Sequence, residues 1–179
     1  MSDIGVRLPL LVCGEPARGD DGVAFAAVAA LPAIARDRVE VVPCGQLEVD
    51  HLLDVPAGLP CIVVDAAVGV APGEVVVLSL ADVGARRDGG APRSSHTLRP
   101  DQAIALAATL RGEPPAGVFV GIGGADFTLG ADLSPAVRAG LPRLVERLAA
   151  EIERLAPTLV PSGTGGGIVR PSPGGASGP

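Results

Sequence analysis

The chain has 179 residues and a mass of 17.7 kDa, a length that suits one domain. Hydrophobic residues make up 47% of the chain but aromatic residues only 2%, so we expect an aliphatic core and almost no means of stacking on bases. All 14 basic residues are arginine, and the net charge of −6 argues against nucleic acid as a partner.

The cysteines, Cys13, Cys44 and Cys61, are odd in number and lack C-x-x-C spacing. This pattern predicts neither a disulfide framework nor a cysteine-type zinc site, and we expect the three thiols to be buried and inert. The apolar run near the N-terminus is too short to span a bilayer, and Arg7 interrupts it with no cleavage site following. We therefore expect a cytoplasmic protein with no membrane partner.

Four short aliphatic runs predict strands: LPLLVC at 8–13, VEVV at 39–42, CIVV at 61–64 and VFVG at 118–121. Their nearly continuous hydrophobicity is typical of strands buried on both faces, which indicates a parallel sheet covered by helices. A fifth run, EVVVLSL at 74–80, follows the third after a connection too short for a helical crossover. We therefore expect these two strands to form one antiparallel hairpin.

Helical patterns lie between the strands. One is predicted to begin at Gly22 with Asp20 or Asp21 as its cap. Another has Pro100 in its first turn and Gly112 as its C-terminal stop.

The last helical pattern has Ser134 as its cap and Pro135 at its first position. Gly140 and Pro142 interrupt its apolar stripe, so we expect a kink, or a short turn followed by a helix from about Leu141. After residue 156, Gly, Pro and Ser dominate and no apolar face is left to bury. We expect one α/β domain over 1–156 and a disordered tail over 157–179.

Three loops carry polar side chains near the carboxyl ends of strands, where open α/β sheets bind ligands. GEPARGDDG at 14–22 holds the adjacent acids Asp20 and Asp21, Asp65 ends the third strand, and His96 precedes a helix within SSH. Two carboxylates and an imidazole at one point suit a borderline divalent ion such as nickel, zinc, iron or manganese.

Each of these residues also has a purely structural interpretation. The acids of the first loop stand where helix caps normally occur, and Asp65 is placed to bond neighbouring loop amides. A histidine such as His96 in a Ser-rich loop is often only solvated. The spacing alone therefore leaves both interpretations open. The phosphate-loop, dinucleotide-binding and G-x-S-x-G motifs are all missing from the sequence.

The order of these segments resembles the hydrogenase maturation proteases, endopeptidases that trim the C-terminus of [NiFe]-hydrogenase large subunits. GEPARGDDGVA, VVDAAVGVAPGEV, SSH and VGIGGADFTLGADLSPAV match that family in order over about residues 8–150. The resemblance implies a protease domain folded as a three-layer α/β/α sandwich, with a mixed, mostly parallel sheet of five strands.

The resemblance also assigns roles. The second acid of the family motif G-x-G-N-x-L-x-x-D-D/E-x-x-G falls on Asp21, its strand-end acid on Asp65 and its loop histidine on His96. These three are the implied catalytic and metal-contacting residues, and Asp20 is the implied supporting or capping residue. The metal is nickel already inserted in the precursor, so we expect the free enzyme to bind it weakly. The implied function is removal of the C-terminal extension of that precursor by a monomer.

Departures from the motif include Val12 in place of a Gly, Glu15 in place of the Asn and Ala24 where the family often has Gly. Glu15 is also a candidate additional carboxylate of the site. These departures motivate one alternative, a non-catalytic nickel-checking or chaperone-like binder of the precursor. A small-molecule metal hydrolase is the other.

No Ser or Cys nucleophile is evident beside a base, which favours attack by water on the peptide carbonyl. Asp21 or Asp65 is the candidate general base and His96 the candidate general acid. The sequence does not separate nickel as a Lewis acid from nickel as a recognition element.

Overall fold

A computed structural model of the chain describes residues 6–86 and 98–156. Its strands are β1 (Leu8–Cys13), β2 (Val39–Gly45), β3 (Cys61–Pro72), β4 (Val75–Ser79) and β5 (Gly117–Gly123). Its helices are α1 (Val23–Ala29), α2 (Ala33–Arg36), α3 (Val49–Leu53), α4 (Leu80–Ala85), α5 (Pro100–Arg111) and α6 (Pro135–Leu155).

The strands form one sheet of five in the order β2-β1-β3-β5-β4. Strands β2, β1, β3 and β5 run parallel to one another, and β4 runs antiparallel to β5. This arrangement confirms the mixed, mostly parallel five-stranded sheet.

Successive residues of the central strands pack on opposite faces of the sheet. Leu10 and Ile62 lie in one apolar cluster with α1 and α6. Leu11 and Val63 lie in a second cluster with α3, α4 and α5. Because both faces are covered, both sets of side chains are aliphatic, which explains the uninterrupted hydrophobic runs. The three-layer α/β/α sandwich is confirmed.

The predicted hairpin between β3 and β4 is wrong, because β5 lies between these two strands. Ala67 and Pro72 both pair with Gly123, so residues 68–71 bulge out beyond the end of β5. The Gly73 amide then donates a hydrogen bond to the Gly123 carbonyl, and the chain returns along the far side of β5. In the sequence, a connection that crosses one intervening strand cannot be distinguished from a long hairpin loop.

The boundaries of the last two helices follow their caps. Gly112 ends α5 in the left-handed region with φ 80°, as predicted. The Ser134 hydroxyl accepts a hydrogen bond of 3.4 Å from the Val137 amide at the start of α6, also as predicted. The expected break at Gly140 and Pro142 is wrong, because α6 continues through both as one helix of 21 residues.

The described residues from β1 to α6 build this one sheet and its covering helices. The disordered tail predicted for 157–179 lies outside the described residues, and the single domain over 1–156 stays a prediction. Within residues 6–86 and 98–156, no helix combines the length and the apolar character needed to cross a bilayer.

Candidate active site

A cavity of about 790 Å³ opens at the carboxyl edge of the central strands, and both Asp21 and Asp65 line it. The two acids meet there because β1 and β3 are parallel neighbours, with Val12 opposite Val64. The chain leaving β1 therefore turns directly beside Asp65. The volume lies within the range of ligand-binding pockets.

Asp21 is held by the loop that follows β1. It lies in a 3₁₀ turn, Gly19–Gly22, and its Oδ2 accepts a hydrogen bond of 2.9 Å from the Glu15 amide. Gly14 has φ 102°, and a Cβ there would lie 1.9 Å from the Asp21 carbonyl oxygen. Only glycine allows the loop to close this tightly, so there is a steric reason for the match of Gly14 to the second glycine of the family motif.

Asp65 is half-buried at the end of the buried part of β3. Burial raises the pKa of its carboxyl from 3.8 to about 7, the negative charge of Asp21 adds to the rise, and a hydrogen bond from the Ala66 amide opposes it. That hydrogen bond to Oδ1 measures 2.8 Å. At neutral pH this carboxyl therefore exists in both protonation states, as a general acid or base requires.

Asp20, the neighbour of Asp21, has a structural task. Its side chain is 0% exposed and accepts hydrogen bonds from the amides of Ala125, Asp126 and Ser134 at 2.8, 2.9 and 2.7 Å. Burial by itself raises the pKa of Asp20, but these amides outweigh it and lower the pKa below the ordinary value.

The expected helix cap at Asp20 or Asp21 is wrong, because Gly22 occupies the N-cap position of α1 without a side-chain bond. Asp20 instead ties the loop after β5 and the start of α6 to the loop after β1. This long-range support agrees with the supporting role that the resemblance implies for it.

His96 lies outside the described residues, so its approach to the two acids stays a prediction. Among the residues of 6–86 and 98–156, no group of three or more His, Cys, Asp and Glu side chains is placed to hold a metal ion. Asp21 and Asp65 are therefore the predicted site residues that the structure describes, and Asp101, which also lines the cavity, is ion-paired with Arg99.

Sequence reasoning missed most of the cavity wall. Three arginines line it, Arg18, Arg86 and Arg99, together with the rings of Phe119 and Phe127. Arg18 shares the loop of Asp21, a signal that was present in the sequence. The other residues come from distant segments, and no local pattern marks them.

The departures from the motif lie outside the cavity wall. Val12 and Ala24 are both 0% exposed and belong to the core. The exposed Glu15 accepts a hydrogen bond of 3.3 Å from the Ala17 amide and is not part of the cavity lining. Glu15 thus caps its own loop, and the suggestion that it adds a carboxylate to the site is not supported.

No protein-family model and no curated protein matches the chain, but solved structures do. The hydrogenase maturating endopeptidase HybD from E. coli aligns with a TM-score of 0.65 at 23% identity, over 83% of this chain and 93% of that one. The [NiFe] hydrogenase maturation protease HybD from Thermococcus kodakarensis aligns with a TM-score of 0.61 at 24% identity, over 85% and 100%. The endopeptidase HycI from Escherichia coli aligns with a TM-score of 0.56 at 18% identity, over 81% and 90%.

The chain has the fold of the hydrogenase maturation endopeptidases. The likeness covers 90% or more of each of these structures and between 81% and 85% of this chain. At these identities the likeness concerns the fold, and the chemistry has to be argued from the cavity's own residues.

Proposed function

We propose that this chain is an endopeptidase that removes the C-terminal extension of a [NiFe]-hydrogenase large-subunit precursor after nickel has been inserted. The observation that carries the proposal is the pair Asp21 and Asp65 in one cavity of a fold shared with structures named as maturation endopeptidases. The ordered motifs of the sequence support it independently.

The charges of the cavity support a nickel-bearing substrate. Asp21 raises the pKa of Asp65, so the two carboxylates repel each other when both are ionised. A divalent cation brought in by the precursor relieves this repulsion, and oxygen ligands are acceptable to nickel. In our proposal His96 supplies a nitrogen ligand, and the substrate's own groups complete the coordination.

The cavity also suits cleavage of a peptide bond by water. With a pKa of about 7, Asp65 can accept a proton from water near neutral pH, and Asp21 remains the alternative general base. Arg18 and Arg86 bring positive charge to the cavity wall, whereas the guanidinium of Arg99 is ion-paired with Asp101 at 2.7 Å. Positive charge near a peptide carbonyl stabilises the oxyanion that forms when water attacks it.

The direct test incubates the purified chain with nickel-loaded precursor and follows the precursor's mass. We expect the loss of a C-terminal peptide, and no loss from nickel-free precursor. Asp21→Asn, Asp65→Asn and His96→Ala should each slow cleavage by about a hundredfold or more. Asp54→Asn is the matched control, because Asp54 is exposed and is not part of the cavity lining.

The outcomes separate the alternatives. Wild-type cleavage by one of the three site variants would remove that residue from the mechanism. A stable complex with nickel-loaded precursor but no product would instead support the non-catalytic binder. A metal that stays tightly bound to the purified chain without any precursor would support the small-molecule hydrolase.

A further inference from the structure

Two cysteines lie where the neighbouring strands β1 and β2 end. Val12 pairs with Pro43 but Cys13 pairs with Gly45, so Cys44 is the extra residue of a β-bulge. Cys13 belongs to one apolar cluster and Cys44 packs against it, and the two side chains are close enough to shift each other's pKa. The Cys44 thiol donates a hydrogen bond of 3.4 Å to the Val42 carbonyl. Neighbouring strands lie about 4.8 Å apart, which is within the Cα separation that a disulfide spans.

The two thiols differ in exposure and acidity. Cys13 is 1% exposed, and the interaction with the Cys44 side chain, followed by burial, raises its pKa. Cys44 is partly exposed, and the Cys13 thiol lowers its pKa against the opposing effect of desolvation, with help from the Val12 backbone. Cys44 is therefore the thiol that external reagents reach first, and the expectation that all three thiols are buried is wrong for it.

We propose that Cys13 and Cys44 form a reversible dithiol–disulfide couple that a small-molecule disulfide oxidises. The Cys44 thiolate attacks one sulfur of the reagent, whose S–S bond breaks and releases the first small thiolate. The Cys13 thiol then loses its proton and attacks the Cys44 sulfur of the mixed disulfide, releasing the second small thiolate. The protein loses two protons and two electrons, and the reagent becomes two thiols after protonation.

Formation of the mixed disulfide on Cys44 removes one cause of the raised pKa of the Cys13 thiol. The largest cause of the raised pKa of Cys13 is its interaction with the Cys44 side chain. Once Cys44 carries the mixed disulfide it holds no negative charge, so that contribution disappears. Burial and the charges of Asp65 and Asp21 still raise the pKa of Cys13, so we expect its attack on the mixed disulfide to be the slower of the two steps.

The couple is joined to the cavity through the backbone. The Gly14 amide donates a hydrogen bond of 2.5 Å to the Gly45 carbonyl, and Gly14 lies against the Asp21 carbonyl. Cys13 also interacts electrostatically with both Asp21 and Asp65. Shortening the contact between the two sulfurs to a bond of about 2.05 Å shifts the end of β1, and with it the loop that holds Asp21.

The chemical test uses the full chain equilibrated in graded mixtures of a small-molecule disulfide and its thiol. Free thiols are quenched and alkylated, and the chain is cleaved after arginine and glutamate. This places Cys13, Cys44 and Cys61 in separate peptides covering 8–18, 41–48 and 49–74. We expect a cross-link between the first two peptides that grows with the oxidant and disappears on reduction.

Cys61 provides the internal control, because it is 0% exposed and its thiol donates a hydrogen bond of 3.8 Å to the Ala116 carbonyl. We expect Cys61 to stay alkylatable throughout and Cys61→Ala to leave the cross-link unchanged. Cys44→Ala should abolish it. Mixed disulfide that accumulates on Cys44 without ever resolving, or cross-links to Cys61 in equal yield, would overturn the proposal.

The effect on the cavity rests on the proposed function and has a separate readout. Cleavage of nickel-loaded precursor should fall by about tenfold or more in the oxidised chain, because a displacement of about 1 Å is enough to misalign a catalytic group. Reduction should restore it, and Cys44→Ala should be insensitive to the oxidant. Equal cleavage by the two forms would end the coupling. If neither form cleaves, the proposed function fails while the cross-link map still decides the couple.

Discussion

At the scale of single residues, two adjacent acids have opposite environments. Asp20 is fully buried and ionised against three backbone amides, whereas Asp21 faces a cavity that it shares with Asp65. The same residue type is thus structural at one position and a candidate catalytic group at the next. The difference arises from direction, because successive residues of the 3₁₀ turn point to different sides.

The perturbed carboxyl of Asp65 should be visible in the pH dependence of stability. In the unfolded chain this carboxyl ionises near its ordinary pKa of 3.8, whereas in the folded protein it ionises near 7. Between these values the folded state holds the proton more tightly. The contribution of Asp65 to the free energy of unfolding is therefore greatest below pH 3.8 and is lost as the pH rises through 7.

Asp65→Asn removes this titration while it keeps an oxygen for the Ala66 amide. Urea unfolding of the wild type and the variant at about pH 4 and about pH 8 measures how much this titration contributes to stability. We expect the stability difference between the two pH values to change by about 4 kcal/mol, with the variant the more stable relative to wild type at the higher pH. Parallel pH curves for the two proteins would contradict the raised pKa.

At the scale of elements, α6 shows how packing overrides local propensity. Pro142 is exposed, so its missing amide costs the helix one hydrogen bond without disturbing the core. Gly140 faces inward, where a Cβ would lie 2.5 Å from the Gly73 carbonyl oxygen and 2.8 Å from Ile122 Cδ1. The glycine that weakens the helix in isolation lets it approach the turn between β3 and β4.

Two alanine substitutions in α6 should therefore have opposite effects. Pro142→Ala restores a backbone donor and should raise the free energy of unfolding by about 1 to 3 kcal/mol. Gly140→Ala adds a methyl group where backbone already lies, and should lower it by about 1 to 3 kcal/mol despite alanine's higher helix propensity. Chemical denaturation of both variants measures the two signs. A stabilising Gly140→Ala would show that α6 does not pack as closely on Gly73 as the structure has it.

At the scale of the whole molecule, the described core ends with the last turn of α6. Ile152 and Ala156 are buried against the sheet with Leu148, whereas the sequence beyond 156 offers no apolar face. We therefore predict that the folded unit ends at about residue 156.

Truncation on either side of that boundary tests it. A chain ending at Ala156 should unfold within about 0.5 kcal/mol of the full chain, because it keeps every buried residue of α6. A chain ending at Leu148 loses buried Ile152 and should be less stable by about 3 kcal/mol or more. The urea unfolding midpoints of the full chain and the two truncated chains measure these differences. If the chain ending at Ala156 is insoluble or strongly destabilised, residues after 156 belong to the folded unit.

The sequence by itself determined the features that depend on neighbouring residues. Aliphatic runs predicted the strands, Gly112 and Ser134 predicted the helix ends, and the parallel class predicted that the loop of Asp21 would meet Asp65. These signals are local because hydrogen bonding of helix ends and two-sided burial of strands act within a few residues.

Only the tertiary structure decided which strand β4 pairs with, which amides hold Asp20 and which cysteines lie on neighbouring strands. It also decided the raised pKa of Asp65. Each of these depends on groups far apart in the chain that share one edge of the sheet, and their burial and charge exist only after the chain has folded.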